Sequence, residues 1–286
     1  MRLIAFQNDA GQPGLAARLG DEWVDLTAAG LPATLDDLLR EGEPGLDRAR
    51  VLLAEGHLPR RPLAQLRHLP PVQAPSKAFA IGLNYIDHAT ESQFDPPKHP
   101  VLFQRFPSSW VAHGEPLVRP HVSTQFDYEA ELVAVIGKAG RYIPKERALE
   151  HVAGYSLFND GSVRDYQFRS NQWLWGKNFD RSGSFGPEFV TADELPPGAH
   201  GLQLTFRRNG EVLQQANTRD MIFDVATLVA ACSEGIALQP GDLIITGTPS
   251  GVGLARKPPV WLQPGDVCEV EVEGLGVLRN GVVDEG

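Results

Sequence analysis

The 286-residue chain has only two cysteines, Cys232 and Cys268. They fall in an apparent helix and an apparent strand without paired spacing, which excludes a cysteine metal cage or a redox couple and leaves buried, reduced spacers. No apolar run reaches membrane-spanning length. The start MRLIAFQNDAGQPG lacks the charged opening and apolar stretch of a signal peptide, so a cytoplasmic location is expected. No cluster of lysine and arginine relieves a formal net charge of -10, which weighs against nucleic acid and anionic membranes as partners. Gly-x-Ser-x-Gly is missing too: Ser182, Ser184 and Ser250 have the wrong neighbours for a serine hydrolase. There is no internal repeat and no low-complexity tract.

What is present describes a globular protein, 42% hydrophobic and 22% charged, long enough to bury roughly three-quarters of its unfolded surface. Residues 1–72 read as a small amino-terminal domain. It has short strands RLIAF and WVDL, a helix TLDDLLREG capped by Thr34, and a helix LDRARVLLAEG closed by Gly56. LPPVQAP, residues 69–75, breaks regular structure. Residues 73–286 follow as a larger domain of short β-branched runs punctuated by glycine and proline, with a hairpin turn at Asn209-Gly210 and one long helix from Asp224 to Gly235. Strands do not alternate with helices. A mixed α/β, β-rich fold is therefore expected rather than a doubly wound sheet.

The run FDYEAELVAVIG, residues 126–137, carries the chemistry. As one strand it places Asp127, Glu129 and Glu131 on a single face. Taken alone, a solvated sheet edge is the commoner reason for such acids, because like charges entering a core repel unless a cation joins them. A second acid adds weight to the cation. HVAGYSLFND ends at Asp160, and Arg164 and Gln167 follow on one face of a helical stretch VRDYQFRSN, so a carboxylate, a guanidinium and an amide share one space.

Five motifs in order, NYIDHATE from Asn84, the Glu-x-Glu of Glu129 and Glu131, NDGSVRDYQ, GKNFDRSGSFGPEFVT and ITGTPSGVG, resemble the fumarylacetoacetate hydrolase family. The likeness spans the chain beyond residue 75. It implies a β-roll catalytic domain, a homodimer and a divalent ion, Mg2+ or Mn2+, on Glu129, Glu131 and Asp160. An all-carboxylate set does suit a hard cation. Asp127 is expected to be a solvated or outlying acid.

The resemblance makes NYIDHATE a mobile lid whose His88 acts as general base. Glu91, three residues on, is placed to orient the imidazole. It puts Lys177 in the site as an oxyanion partner and assigns Arg164, Gln167, Gly247 and Thr248 to substrate oxygens. The remaining histidines read as structural. The glycines at 247–253 form neither a phosphate loop nor a dinucleotide fingerprint. Arg105 stands where the family pattern, as aligned, has lysine, and an arginine there suits a bidentate grip on a second substrate carboxylate. The implied reaction is metal-dependent hydrolysis of a carbon-carbon bond in an acylpyruvate, a small anionic oxo acid. The alternatives are decarboxylase, hydratase, isomerase or lyase chemistry on a related oxo acid, and a non-catalytic oxo-acid binder.

Overall fold

The structure is a computed structural model and describes residues 1–91 and 95–286. Its class is mixed α/β and sheet-rich, with two main sheets. The larger has twelve strands among the described residues and is built on Ala130–Ile136, Val152–Asn159 and Gly183–Thr191, paired antiparallel and buried almost throughout. Burial on both faces explains why LVAVI and YSLF are continuous apolar runs rather than alternating ones.

On one flank this sheet continues through Arg2–Gln7, Pro13–Leu19, Glu22–Asp25 and Arg60–Pro62. Arg2 pairs with Val190 and Leu3 with Phe189, so strand pairing crosses from the amino-terminal segment into the larger one. The core crosses as well: Leu3, Leu15 and Leu35 share a buried cluster with Val133, Phe158 and Phe185. On the other flank Leu243–Ile245 joins Ala78–Gly82 in parallel, and Val101–Gln104 forms the edge. The second sheet holds Glu211–Asn217, Gln203–Arg208, Val267–Val272, Gly276–Asp284 and Leu117–Arg119. Its Phe206 stacks on Tyr128 at 4.2 Å between ring centroids, within the core cluster that also takes in Ala130, Leu132, Ala134 and Ile136.

Local signals are realised where the chain carries its own partners. The Thr34 hydroxyl accepts from Asp37 N at 3.1 Å to open Leu35–Arg40, and Asp224 accepts from Thr227 N at 2.7 Å to open Val225–Gly235. Gly56, at φ 69°, closes Glu43–Glu55. Asn209 and Gly210, both at positive φ, turn the hairpin. Both cysteines are buried and free.

The acidic run departs from its expected form. It is two strands, Phe126–Asp127 paired with Ser162–Val163, and Ala130–Ile136 in the large sheet. Three successive amides at the break donate to side chains instead of a neighbouring strand: Tyr128 N to Asp127 Oδ1 (2.8 Å), Glu129 N to Asn159 Oδ1 (3.1 Å) and Ala130 N to Gln214 Oε1 (2.9 Å). Every buried amide needs an acceptor. Here partners distant in sequence supply two of the three, and the strand gives way. Asp127 is fully buried, not solvated.

Candidate active site

Ala130 pairs with Asn159, and Asp160 N donates to Glu129 O at 2.8 Å, so the acids of two neighbouring strands emerge at one end of the sheet. Glu129, Glu131 and Asp160 are all buried, each with a carboxylate oxygen within 4.8 Å of the others. Gly161 makes the turn possible, since a Cβ there would stand 1.8 Å from Ser182 O.

Three buried cations meet these acids. Lys177 Nζ lies 2.7 Å from both Glu129 Oε2 and Asp160 Oδ2. Arg164 Nε donates to Asp127 Oδ2 and its Nη1 to Gln167 Oε1, both at 2.8 Å. Arg164 Nη2 is 2.7 Å from Glu129 Oε1 but off the line of a hydrogen bond, an ion pair by distance alone. Arg105 Nη1 donates to Asp160 Oδ1 and, at 3.1 Å, to Gly161 O. Burial opposes the charge of Glu129, yet Lys177 and Arg164 hold its carboxyl down to about 2. Glu131 goes the other way. Burial, then the charges of Asp160 and Glu129, push it well above the carboxylate range.

These residues fit a divalent ion. The donors are all oxygen, and Glu131 has no cationic side chain paired with it among the described residues, its Oε2 accepting only from Gly247 N. A hard cation would relieve the repulsion that raises Glu131. It would share Glu129 and Asp160 with Lys177, each carboxylate oxygen having a second lone pair.

The loop 247–254 gives its amides to the protein's own acids. Gly247 N donates to Glu131, Gly251 N to Glu91 at 2.9 and 3.1 Å, Gly253 N to Asp127 Oδ1 at 2.8 Å and Leu254 N to Asp127 Oδ2 at 2.9 Å. Gly247 has φ +96°, and a Cβ would meet Ile81 O at 2.8 Å, so only glycine lets the loop approach this closely. The substrate contact expected of this loop gives way to an internal one. Thr248 lines the cavity, but its hydroxyl proton goes to Ala130 O at 3.0 Å while Gln214 Nε2 donates to it at 2.8 Å.

Two further expectations need correction. Arg105 does not line the cavity. Its guanidinium lies behind Asp160 and is also tied to Ser109 Oγ and Ser109 O at 3.1 Å each, out of reach of a substrate carboxylate. His88 and Glu91 face each other on the helix Ile86–Glu91, but Glu91 is bonded to Gly251. His88 Nδ1 stands 3.7 Å from Glu91 Oε2 without a hydrogen bond.

A cavity of about 460 Å³ gathers His88, Glu91, Glu129, Arg164, Gln167 and Lys177 along its lining. Phe103 and Trp173, in edge contact at 5.7 Å, form an apolar wall, and Lys177 Nζ lies 5.1 Å from the Phe103 ring centre. Asn84 anchors the approach to the helix Ile86–Glu91, donating to Thr246 O at 2.7 Å and Phe223 O at 3.0 Å and accepting from Phe223 N at 2.8 Å. Arg256 and Lys257 are the contributors that reading the sequence missed, and Asp127, expected as a solvated or outlying acid, is a buried anchor. Asp127 accepts from four donors, three of which only the fold brings to it, and Arg256-Lys257 is an unremarkable basic pair just beyond the glycine loop.

The family described as fumarylacetoacetate (FAA) hydrolase C-terminal matches residues 77–283. The human protein named oxaloacetate tautomerase FAHD2A, mitochondrial, is 42% identical over 290 residues, covering 99% of this chain and 92% of its own. Among solved structures, fumarylacetoacetate hydrolase from Exiguobacterium antarcticum is 36% identical with a TM-score of 0.87. Maleylpyruvate hydrolase from Sphingobium sp. SYK-6, in complex with manganese(II) ion and pyruvate, is 32% identical with a TM-score of 0.83. Both cover 100% of each chain. With the acid centre, the helix Ile86–Glu91 and the glycine loop in the order the motifs require, this chain belongs to the fumarylacetoacetate hydrolase family.

Proposed function

We propose that this chain moves a proton between carbon and oxygen of a 2-oxo acid, interconverting the keto and enol forms of oxaloacetate or a close analogue. The carrying observation is that His88 lines the same cavity as Glu129 and Lys177 and that, among the described residues, its buried Nδ1 has no hydrogen-bond partner, which leaves the ring free to carry a proton rather than fixed as a structural histidine. The similarity over nearly the whole chain to proteins named oxaloacetate tautomerase supports this choice of reaction.

In this reading Glu129, Glu131 and Asp160 hold Mg2+ or Mn2+, which when bound supplies positive charge beside a developing enolate. Arg164 and Gln167, already bonded to each other, present donors to the oxygens of the oxo-acid end. His88 removes the proton from the carbon next to the keto group and delivers it to the keto oxygen, so the C–H electron pair becomes the C=C bond. Lys177 donates to that oxygen while it is negative. Phe103 and Trp173 keep water from the exposed enol.

Hydrolytic cleavage of an acylpyruvate is the second reading. It is favoured by Glu91 Oε2 lying 3.7 Å from His88 Nδ1, near enough to pair with a protonated ring although not hydrogen-bonded to it. Decay of the enol absorbance of oxaloacetate separates the two. Protein loaded with Mn2+ should speed ketonisation, Glu131→Gln should abolish the effect, and acylpyruvates should stay intact. Acylpyruvate cleavage with no effect on oxaloacetate would overturn the first reading. A homodimer in the cytoplasm belongs to the same proposal, to be checked by sedimentation and cell fractionation.

A further inference from the structure

Arg105, Arg164 and Lys177 each lie against a carboxylate, so the positive charge around the acid centre is already matched within the protein. The cavity wall formed by residues 252–259 differs. Arg256 and Lys257 both line it, and among the described residues neither pairs with an acid. Arg256 is held by neutral acceptors: its Nε donates to Tyr128 Oη and Gly251 O at 3.2 Å, and its Nη2 to Leu213 O at 2.6 Å. These bonds fix its position without cancelling its charge. The wall itself is pinned, because Asp127 accepts the amides of Gly253 and Leu254, and Val260 N donates to Gly253 O at 2.9 Å. Lys257 is exposed at the rim.

An oxo acid has one carboxylate beside its keto group, and Arg164 and Gln167 are there to meet that end. A second carboxylate on the same molecule is repelled by Glu91 and Glu129 and attracted to whatever charge in the cavity is unmatched. We propose that Arg256 and Lys257 form the subsite for this second carboxylate, so that the enzyme selects 2-oxo dicarboxylates over 2-oxo monocarboxylates. This rests on the oxo-acid reading above. Leu254 and Trp173 line the same cavity and suit the carbon chain between the two charged ends.

Stopped-flow tryptophan fluorescence of the Mn2+-loaded protein, mixed with oxaloacetate or with pyruvate, tests it. Wild type should bind oxaloacetate more tightly than pyruvate. Lys257→Met should weaken oxaloacetate by about fivefold, the most expected of an exposed ion pair, and Lys257→Glu by more, while pyruvate moves less than twofold in either. Circular dichroism confirms that both variants fold. Equal affinity for the two acids in wild type, or equal losses in the variants, would overturn the subsite. Failure of the wild type to bind either acid would instead overturn the oxo-acid reading on which it stands.

Discussion

The acid centre and the wall of residues 252–259 share one cavity and hold positive charge in opposite ways. At the centre Lys177 and Arg164 are buried and lie against carboxylates. On the wall Arg256 rests on carbonyl and hydroxyl oxygens, and Lys257 reaches solvent. Desolvation explains the contrast. A charge taken out of water must find an opposite charge or several donors and acceptors, whereas one at a rim keeps its hydration. Charge at the centre is thus spent on holding the acids in place, and charge on the wall stays available to an incoming anion.

Removing Lys177 breaks this contrast most severely. Lys177→Met should lower kcat by about 100- to 1000-fold, as loss of an oxyanion donor does. It should also raise Mn2+ affinity by at least about tenfold, because a cation next to two of the ligand acids is gone. Steady-state kinetics and Mn2+ titration read the two effects separately. Unchanged affinity would mean that the ammonium does not compete for those oxygens.

Asp127 ties the two regions together, with Arg164 on one side and the amides of Gly253 and Leu254 on the other. Asp127→Asn should cost about 3 kcal/mol of stability by leaving a buried guanidinium short of its partner. It should raise KM for the oxo acid more than it lowers kcat. Denaturant unfolding with kinetics checks both, and lost stability with KM unmoved would confine Asp127 to a purely structural part.

The smallest effect lies outside the cavity, where burial is met by neutrality. His113 packs against His68 at 4.8 Å between ring centres and accepts from Arg279 N at 3.1 Å. Burial, with the charge of His68 adding and that of Glu188 opposing, lowers His113 from 6.5 to about 4. The folded state therefore disfavours the proton. The stability this neutral ring contributes is complete above pH 6.5 and is lost as pH falls from 6.5 towards 4. His113→Gln, which keeps an acceptor for Arg279 N, should flatten the fall of Tm between pH 7 and pH 4.5, both on the order of the two pKa limits. An equal slope in both proteins would remove His113 as its source.

Much of this was legible in the chain. Caps at Thr34 and Asp224, the Asn209-Gly210 turn and the apolar run after Glu131 declare themselves because their partners are a few residues away. The three acids were legible too, since Glu-x-Glu opens one extended run and Asp160 closes another. Arg105 was not. Its burial depends on Ser109, Asp160 and Gly161, gathered only when Gly183–Thr191 pairs with Val152–Asn159. The break at Tyr128 was hidden for the same reason, Gln214 and Asn159 being far along the chain.

The sequence by itself determined which residues are charged, where local turns and caps fall, and that the chain carries its family's motifs in order. Tertiary structure alone decided which charges are matched and which are free, because pairing depends on distance in space and on exclusion of water. That is why the loop 247–254, plain as a glycine-rich turn, becomes the hub that holds Glu91, Glu131 and Asp127, and why, among the described residues lining the cavity, Arg256 and Lys257 carry positive charge without an acidic partner.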